Sequence, residues 1–196
     1  MKFNFTRPFF FLFFFGLAQI ASAQFYDATL ELSSGKILQG GAKPTFRSFV
    51  FKEDGNSKEL IFKPEEVRQL TIHDKRYPAD TLKYRFERKK EGKEPWLLTI
   101  FIDGRVSLYA RISKAQPGYD IYYLLKKQGD EVVRDITFKS SAGDLLFPEL
   151  KSLTDEDLKY FFGDYPGLMI NGKLNEKFRK KDLGEFMAEY NRMKSR

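Results

Sequence analysis

The sequence predicts an α+β protein: an N-terminal antiparallel β-sheet, or small SH3-like or Sm-like barrel, that continues into a β-meander and ends in a short helical region packed on it. Three observations carry this prediction. From residue 24 to 139, short alternating apolar runs are separated by Gly-containing turns. The stretch "WLLTIFIDGRVSLYARI", residues 96 to 112, is two strand-forming runs joined at Asp103-Gly104. After Ser140 strand alternation stops and helix-capping patterns begin, so residues 140–196 form the helical region.

The first 23 residues stand apart from this plan. Lys2 and Arg7 precede an apolar run from Phe9 to Leu17, and Ala21-Ser22-Ala23 has the small-x-small pattern that signal peptidases cut after. An exported chain cleaved after Ala23, periplasmic or secreted, is therefore expected. The run is shorter than the roughly 18 to 20 residues needed to span hydrocarbon, and no later segment has the length of a transmembrane helix. With no cysteine in the chain, a lipoprotein's modified cysteine is excluded. Cleavage leaves 173 residues and, because two basic and no acidic residues leave, lowers the net charge from +7 to +5. That length buries a core without disulfides. The charge is far weaker than the concentrated field of a nucleic-acid binder, so nucleic acid is not an expected partner.

Element by element, Ala28, Leu30 and Leu32 alternate, Ser33-Ser34-Gly35 turns, and Ile37 and Leu38 return. Phe49 and Phe51 then lie in a strand, Asp54-Gly55-Asn56 turns, Leu60 and Phe62 return, and Val67, Leu70 and Ile72 form a fifth segment. Five short strands over 24–75 suit a small barrel, and an open sheet carries the same pattern. The meander, 80–139, begins with a hairpin from Leu82 to Ile102 whose tip, Arg85 to Glu94, reads as a solvated run of mixed charge around Gly92. In the ribbon, Asp103-Gly104 predicts a two-residue type I′ turn with positive φ at both positions. That register sets Phe101 opposite Val106, Thr99 opposite Leu108 and Leu97 opposite Ala110 on an apolar face. Ile102, Ile100 and Leu98 then oppose Arg105, Ser107 and Tyr109 on an amphipathic face that the C-terminal helices are expected to shade. Gln128-Gly129-Asp130 marks the turn between strands Ile121 to Leu125 and Val132 to Phe138.

In the tail, Thr154 with Asp155, Glu156 and Asp157 resembles a helix N-cap with acids in its first turn, followed by apolar Leu158, Phe161 and Phe162. Asp164-Tyr165-Pro166 starts a further short helix through Met169 and Ile170. Asp182 caps the last helix, with Glu185 as reciprocal partner and Leu183, Phe186, Met187 and Tyr190 on one face.

The stretches "VSLYARI", "YDIYYLLKKQGDEVV", "LTDEDLKYFFGDYPGL" and "KKDLGEFMAEYN" together resemble a family of uncharacterised secreted proteins of Bacteroidetes-type bacteria. Members share a signal peptide, a first strand of the type "TLELSSGKILQG", a β-rich body and a helical end closing on Tyr-Asn. The resemblance implies an envelope or secreted location. It assigns no catalytic role to Ser107, Leu108, Tyr109, Tyr190 or Asn191, and "NGKLNEKFRKK" fits its pattern loosely.

His73 is the single histidine and cysteine is absent, so the usual zinc ligand sets cannot be assembled. Beside Asp74 at a strand end, His73 reads as a surface residue. No Gly-x-Ser-x-Gly and no phosphate-binding glycine loop occurs. Asp155, Glu156 and Asp157 are better explained by capping than by calcium or acid–base chemistry, and "GDYPGLMINGK" lacks the acids of an EF-hand loop. No metal site and no cofactor is expected.

Trp96, Tyr109, Tyr119, Tyr122 and Tyr123 gather in the meander, where they either pack the core or present a stacking surface to a protein or a sugar. The expected function is that of a non-catalytic cell-envelope protein binding a protein or a surface glycan. The alternative is a carboxylate-dependent hydrolase of envelope or extracellular polymers, which requires a carboxylate pair facing one cleft. Lys177, Arg179, Lys180 and Lys181 offer weak electrostatic attachment to anionic lipid or polysaccharide. No pattern specifies an oligomeric state.

Overall fold

A computed structural model of the chain describes residues 25–45, 47–55, 58–74, 81–89, 94–114, 119–141 and 147–194, with side chains outside 112–119 and 137–141. Residues 1–23, the tip around Gly92 and the Tyr119 side chain lie outside this description. The strands are β1 (Tyr26–Leu32), β2 (Ile37–Pro44), β3 (Phe49–Glu53), β4 (Glu59–Leu60), β5 (Val67–His73), β6 (Thr81–Lys89), β7 (Trp96–Ile102), β8 (Val106–Lys114), β9 (Tyr119–Lys127) and β10 (Val132–Ser141). They lie in the order β10-β9-β8-β7-β6-β5-β1-β2-β3-β4.

As expected, the N-terminal strands form an antiparallel unit, β5-β1-β2-β3-β4, that continues into a meander. Period-two alternation sends Ala28, Leu30, Phe49, Phe51, Leu70 and Ile72 to one buried cluster. Gly35 and Gly55 supply the positive φ that their turns require.

β6 is the hinge between the two halves. Along one edge its residues pair with β5 as far as Tyr84, then from Arg88 with β10 in parallel register. The second pairing closes β6 to β10 into a ring. β6 and β7 therefore serve two cores. Leu82, Tyr84, Phe86 and Leu97 face the N-terminal cluster. Leu98 and Ile100 join Tyr109, Leu124 and Val133 inside the ring, with Trp96 packed against them.

Ring closure reverses the expected use of the central ribbon. The helices cover the outer face, where Val106, Leu108 and Ala110 join Ile121, Tyr123 and Leu125, and the amphipathic face of Leu98, Ile100 and Tyr109 turns inward. The register also differs from that of a two-residue turn. Thr99 pairs with Ala110 and Ile100 with Tyr109, then a bulge shifts the ladder so that Ile102 pairs with Leu108. Gly104 is not among the glycines of positive φ. The cause is the last helix. Asn191 accepts the Val106 N–H (3.1 Å) and donates to the Val106 carbonyl (2.9 Å), taking the edge that a tight hairpin would give to β7. A Cβ on Gly104 would lie 2.5 Å from the Asn191 side chain, so the close approach needs glycine there.

The helices are α1 (Asp155–Phe162) and α2 (Leu183–Lys194). Thr154 accepts the Asp157 N–H at 3.1 Å and Asp182 accepts that of Glu185 at 2.9 Å, the two predicted caps. Phe162 meets both Phe186 and Tyr190 edge-on at 5.2 Å, locking α1 to α2. Where a short helix through Ile170 was expected, the chain instead forms a hairpin of β11 (Met169–Ile170) and β12 (Lys173–Leu174). Asn171 and Gly172 both have positive φ, 51° and 78°, which an Asn-Gly turn adopts at low cost and a helix cannot use. No helix among the described residues is long and apolar enough to cross a membrane.

Candidate functional site: a charged cleft at the mouth of the ring

The alternation that sends Leu82, Tyr84 and Phe86 to the N-terminal core sends Arg85 and Glu87 into the ring. On the shared edge of β6, the β5 ladder ends at Tyr84 and the β10 ladder starts at Arg88. Arg85, Phe86 and Glu87 thus carry no strand partner on that edge among the described residues. Here a cleft of about 620 Å³ opens, walled by β6, the β7–β8 loop, the start of β8 and the β9–β10 turn.

Its lining is a continuous chain of hydrogen bonds. Arg85 donates to Asp103 (3.0 Å to Oδ2) and to the Tyr109 hydroxyl (3.3 Å). Tyr109 in turn donates to Glu87 Oε1 (2.7 Å), and Lys126 Nζ donates to Glu87 Oε2 (2.6 Å). Ser107 closes the loop by donating to Asp103 (3.0 Å) while accepting from the Gly104 N–H (3.2 Å). Glu87 is only 5% exposed, and such a buried carboxylate persists because both its oxygens are met by donors.

Each shift in this chain has a physical cause. Burial works to raise the Asp103 pKa, but the hydrogen bonds and charge of Arg85, with Ser107 and the Gly104 N–H, outweigh it and hold the carboxyl below its usual range. Burial likewise opposes the charge of Arg85, and the contact with Asp103 more than offsets it, leaving the guanidinium pKa raised. For Tyr109, burial and the neighbouring Glu87 charge act together and push the phenol well up, so it remains a neutral donor.

The sequence-predicted aromatics are divided by the fold. Tyr109 and Tyr123 are 1% and 0% exposed, so neither offers a stacking face to a partner; Tyr109 reaches the cleft through its hydroxyl and Tyr123 packs with Phe101 and Phe147. Trp96 and Tyr122 are both half-buried and both in contact with the Arg111 guanidinium (4.8 and 5.1 Å from the ring centres). In the basic tail, Arg179 pairs with Glu176 at 3.1 Å and Lys181 with Glu189, leaving exposed Lys177 and Lys180 as the remaining outward charges of that group. His73 is exposed and bonds Thr29 at 3.0 Å. Asp157 accepts from the Thr154 hydroxyl, the local role that capping predicts, whereas Asp155 accepts from the Leu174 N–H of β12. No group of His, Asp and Glu able to hold a metal occurs among the described residues.

Arg85 and Glu87 are hidden in the sequence because Arg85 to Glu94 looks like a solvated tip, and Asp103 and Ser107 because they read as turn and ribbon residues. The signal against that reading was in β7, whose Leu97, Leu98, Ile100 and Phe101 are apolar on both faces. A strand covered on both sides obliges its neighbour to be covered too, so the polar face of β6 has to point into an interior. No protein-family model, curated protein or solved structure matches the chain.

Proposed function

We propose that this chain is an exported, non-catalytic cell-envelope protein that binds a surface glycan in the cleft at the mouth of the ring. The observation that carries the reading is the hydrogen-bonded chain Asp103–Arg85–Tyr109–Glu87–Lys126 along a cleft of about 620 Å³. That volume lies in the range of small-ligand sites, yet such sites are mostly apolar with few polar groups. A lining of charges and hydroxyls suits a ligand that is itself rich in oxygen. Export rests on the basic, apolar and small-x-small order of the first 23 residues.

One observation favours the hydrolase reading: Glu87 and Asp103 line the same cleft. Glycoside hydrolysis, however, needs one carboxyl group to act as a proton donor. Asp103 is held below the carboxylate range by Arg85, and both oxygens of Glu87 already accept from Tyr109 and Lys126. The arrangement holds a ligand better than it transfers a proton.

The test is a glycan array probed with the chain lacking residues 1–23, followed by calorimetry on the sugars retained. Binding that Arg85→Ala weakens by about tenfold or more supports the reading. An array without binders, or hydrolysis products released from the same sugars, would overturn it.

A further inference from the structure

We infer that the sugar held in this cleft carries an acidic group, seated against Arg85 and Lys126; the inference rests on the glycan-binding reading above. It follows from which hydrogen-bonding capacity the cleft has already used. The lining has three carboxylates, and each is engaged at both oxygens. Asp103 takes Arg85 and Ser107, Glu87 takes Tyr109 and Lys126, and Asp130 takes the Tyr160 hydroxyl (2.6 Å) and the Lys127 N–H (3.3 Å).

The donors are in surplus. An ammonium has three N–H groups, and the Lys126 ammonium makes one hydrogen bond, to Glu87. Lys127 Nζ likewise gives one, to the Tyr160 carbonyl (3.1 Å), and of the five N–H groups of Arg105 one makes a long contact with Asp164 (3.4 Å) and another reaches the Tyr190 hydroxyl. Arg85 contacts its partners through its two terminal nitrogens. Four cationic side chains therefore face the cleft against three acids, each of which already accepts at both oxygens. A neutral sugar needs protein acceptors for its own hydroxyl protons as much as it needs donors. An acidic sugar brings acceptors without protons, which matches what this cleft has left to give.

The experiment is calorimetric titration of the same chain lacking residues 1–23 with matched pairs of oligosaccharides: oligogalacturonate against its carboxyl-reduced form, and a sulfated oligosaccharide against its desulfated form. The expected result is that at least one acidic member binds about tenfold or more tightly than its neutral counterpart. Which one separates a carboxylate from a sulfate as the source of the charge. That binding should weaken several-fold as salt rises, and Arg105→Gln should reduce it modestly.

Lys126→Gln alone leaves Glu87 buried without its cation and can unfold the chain. The second variant is therefore E87Q/K126Q, which keeps a neutral hydrogen-bonded pair. It should lose about tenfold for the acidic sugar and distinctly less for its neutral counterpart, and equal losses for the two would overturn the inference. Neutral members that bind as tightly as the acidic ones would overturn this inference while leaving glycan binding intact. If no saccharide in the set or on the array binds, both readings fall.

Discussion

Replacing Asn191 with alanine tests how the last helix is held to the ring. Val106 is fully buried, and the Asn191 amide satisfies both its N–H and its carbonyl, at 3.1 and 2.9 Å. A buried backbone group left without a partner costs about 1–3 kcal/mol. Two such groups, with partial relief by water because Asn191 is half-buried, place the loss at about 2–4 kcal/mol. In a chain of this size that corresponds to roughly 5–15 °C in Tm. Equilibrium urea unfolding reads it directly, as a lower midpoint at unchanged slope. Gly104 supplies an internal control. Its alanine variant should cost about 1–3 kcal/mol while Asn191 is present, because the new Cβ would lie 2.5 Å from a side chain pinned at both ends. In the Asn191→Ala background the same change should cost much less, a coupling of about 1 kcal/mol or more. A loss below about 0.5 kcal/mol for Asn191→Ala, the size of an ordinary surface substitution, would refute the clamp. Strict additivity of the pair would refute its geometry.

Tyr190→Phe removes a hydroxyl that donates to Asp164 at 2.8 Å but keeps the buried ring, so urea unfolding should show a loss of about 1 kcal/mol. Burial, with the Asp164 contact at Tyr190 and the Asp182 charge at Tyr123, pushes both phenols up to about 12. Their contribution is complete below the unfolded value near 10 and lost as pH rises through the folded values, so tyrosinate absorbance should appear in an early exposed phase and a late one coupled to unfolding. At acid pH the sign reverses. Burial opposes ionisation of Asp103 and Asp164, but Arg85 and Lys194 respectively dominate the contacts that hold them low. Their stabilisation is complete above the unfolded value near 4 and lost as pH falls below it, so the urea midpoint should drop between pH 5 and lower values; a flat profile would count against these pairs. E87Q/K126Q should leave stability within about 1 kcal/mol of the parent, since removing both members of a buried ion pair strands neither charge.

Local chemistry was legible in the sequence where it decided the structure alone. Thr154 and Asp182 cap their helices as their spacing foretold, and Gly35, Gly55 and Gly129 turn where turn residues cluster. Asn171-Gly172 carries a hairpin signal that competes with the helix-start pattern of Asp164-Tyr165-Pro166, and its positive φ values decide for the hairpin. What stayed hidden was set by distant contacts. The register at Asp103-Gly104 depends on Asn191, more than 80 positions away, and no property of Asp-Gly itself announces that partner. The cleft was hidden for the same reason. Arg85 and Glu87 look solvated until β10 is known to return to β6, and that closure rests on two parallel pairs, Val132 with Arg88 and Val133 with Lys89.

The location of the charged chain within the ring separates what the fold needs from what a ligand needs. Inside the ring, Leu98, Ile100, Leu124 and Val133 fill the centre with apolar side chains, as a five-stranded ring must to exclude water. The charges begin where the ladder on β6 lapses, between Tyr84 and Arg88. Apolar replacement of a buried ion pair is commonly neutral or stabilising by about 1–4 kcal/mol, so Glu87 and Lys126 are not the cheapest way to close this mouth. Their hydrogen bonds instead fix the direction of each donor before any ligand arrives: Tyr109 orients Glu87, Glu87 holds Lys126, and Asp103 holds Arg85. Such ordering lowers the entropy that binding would otherwise lose in freezing two long cationic side chains. On the proposed binding role, the same interactions that make the mouth a poor contributor to stability would prepare it for a ligand, and mutations that stabilise the chain at Glu87 and Lys126 should be those that weaken it for an acidic sugar.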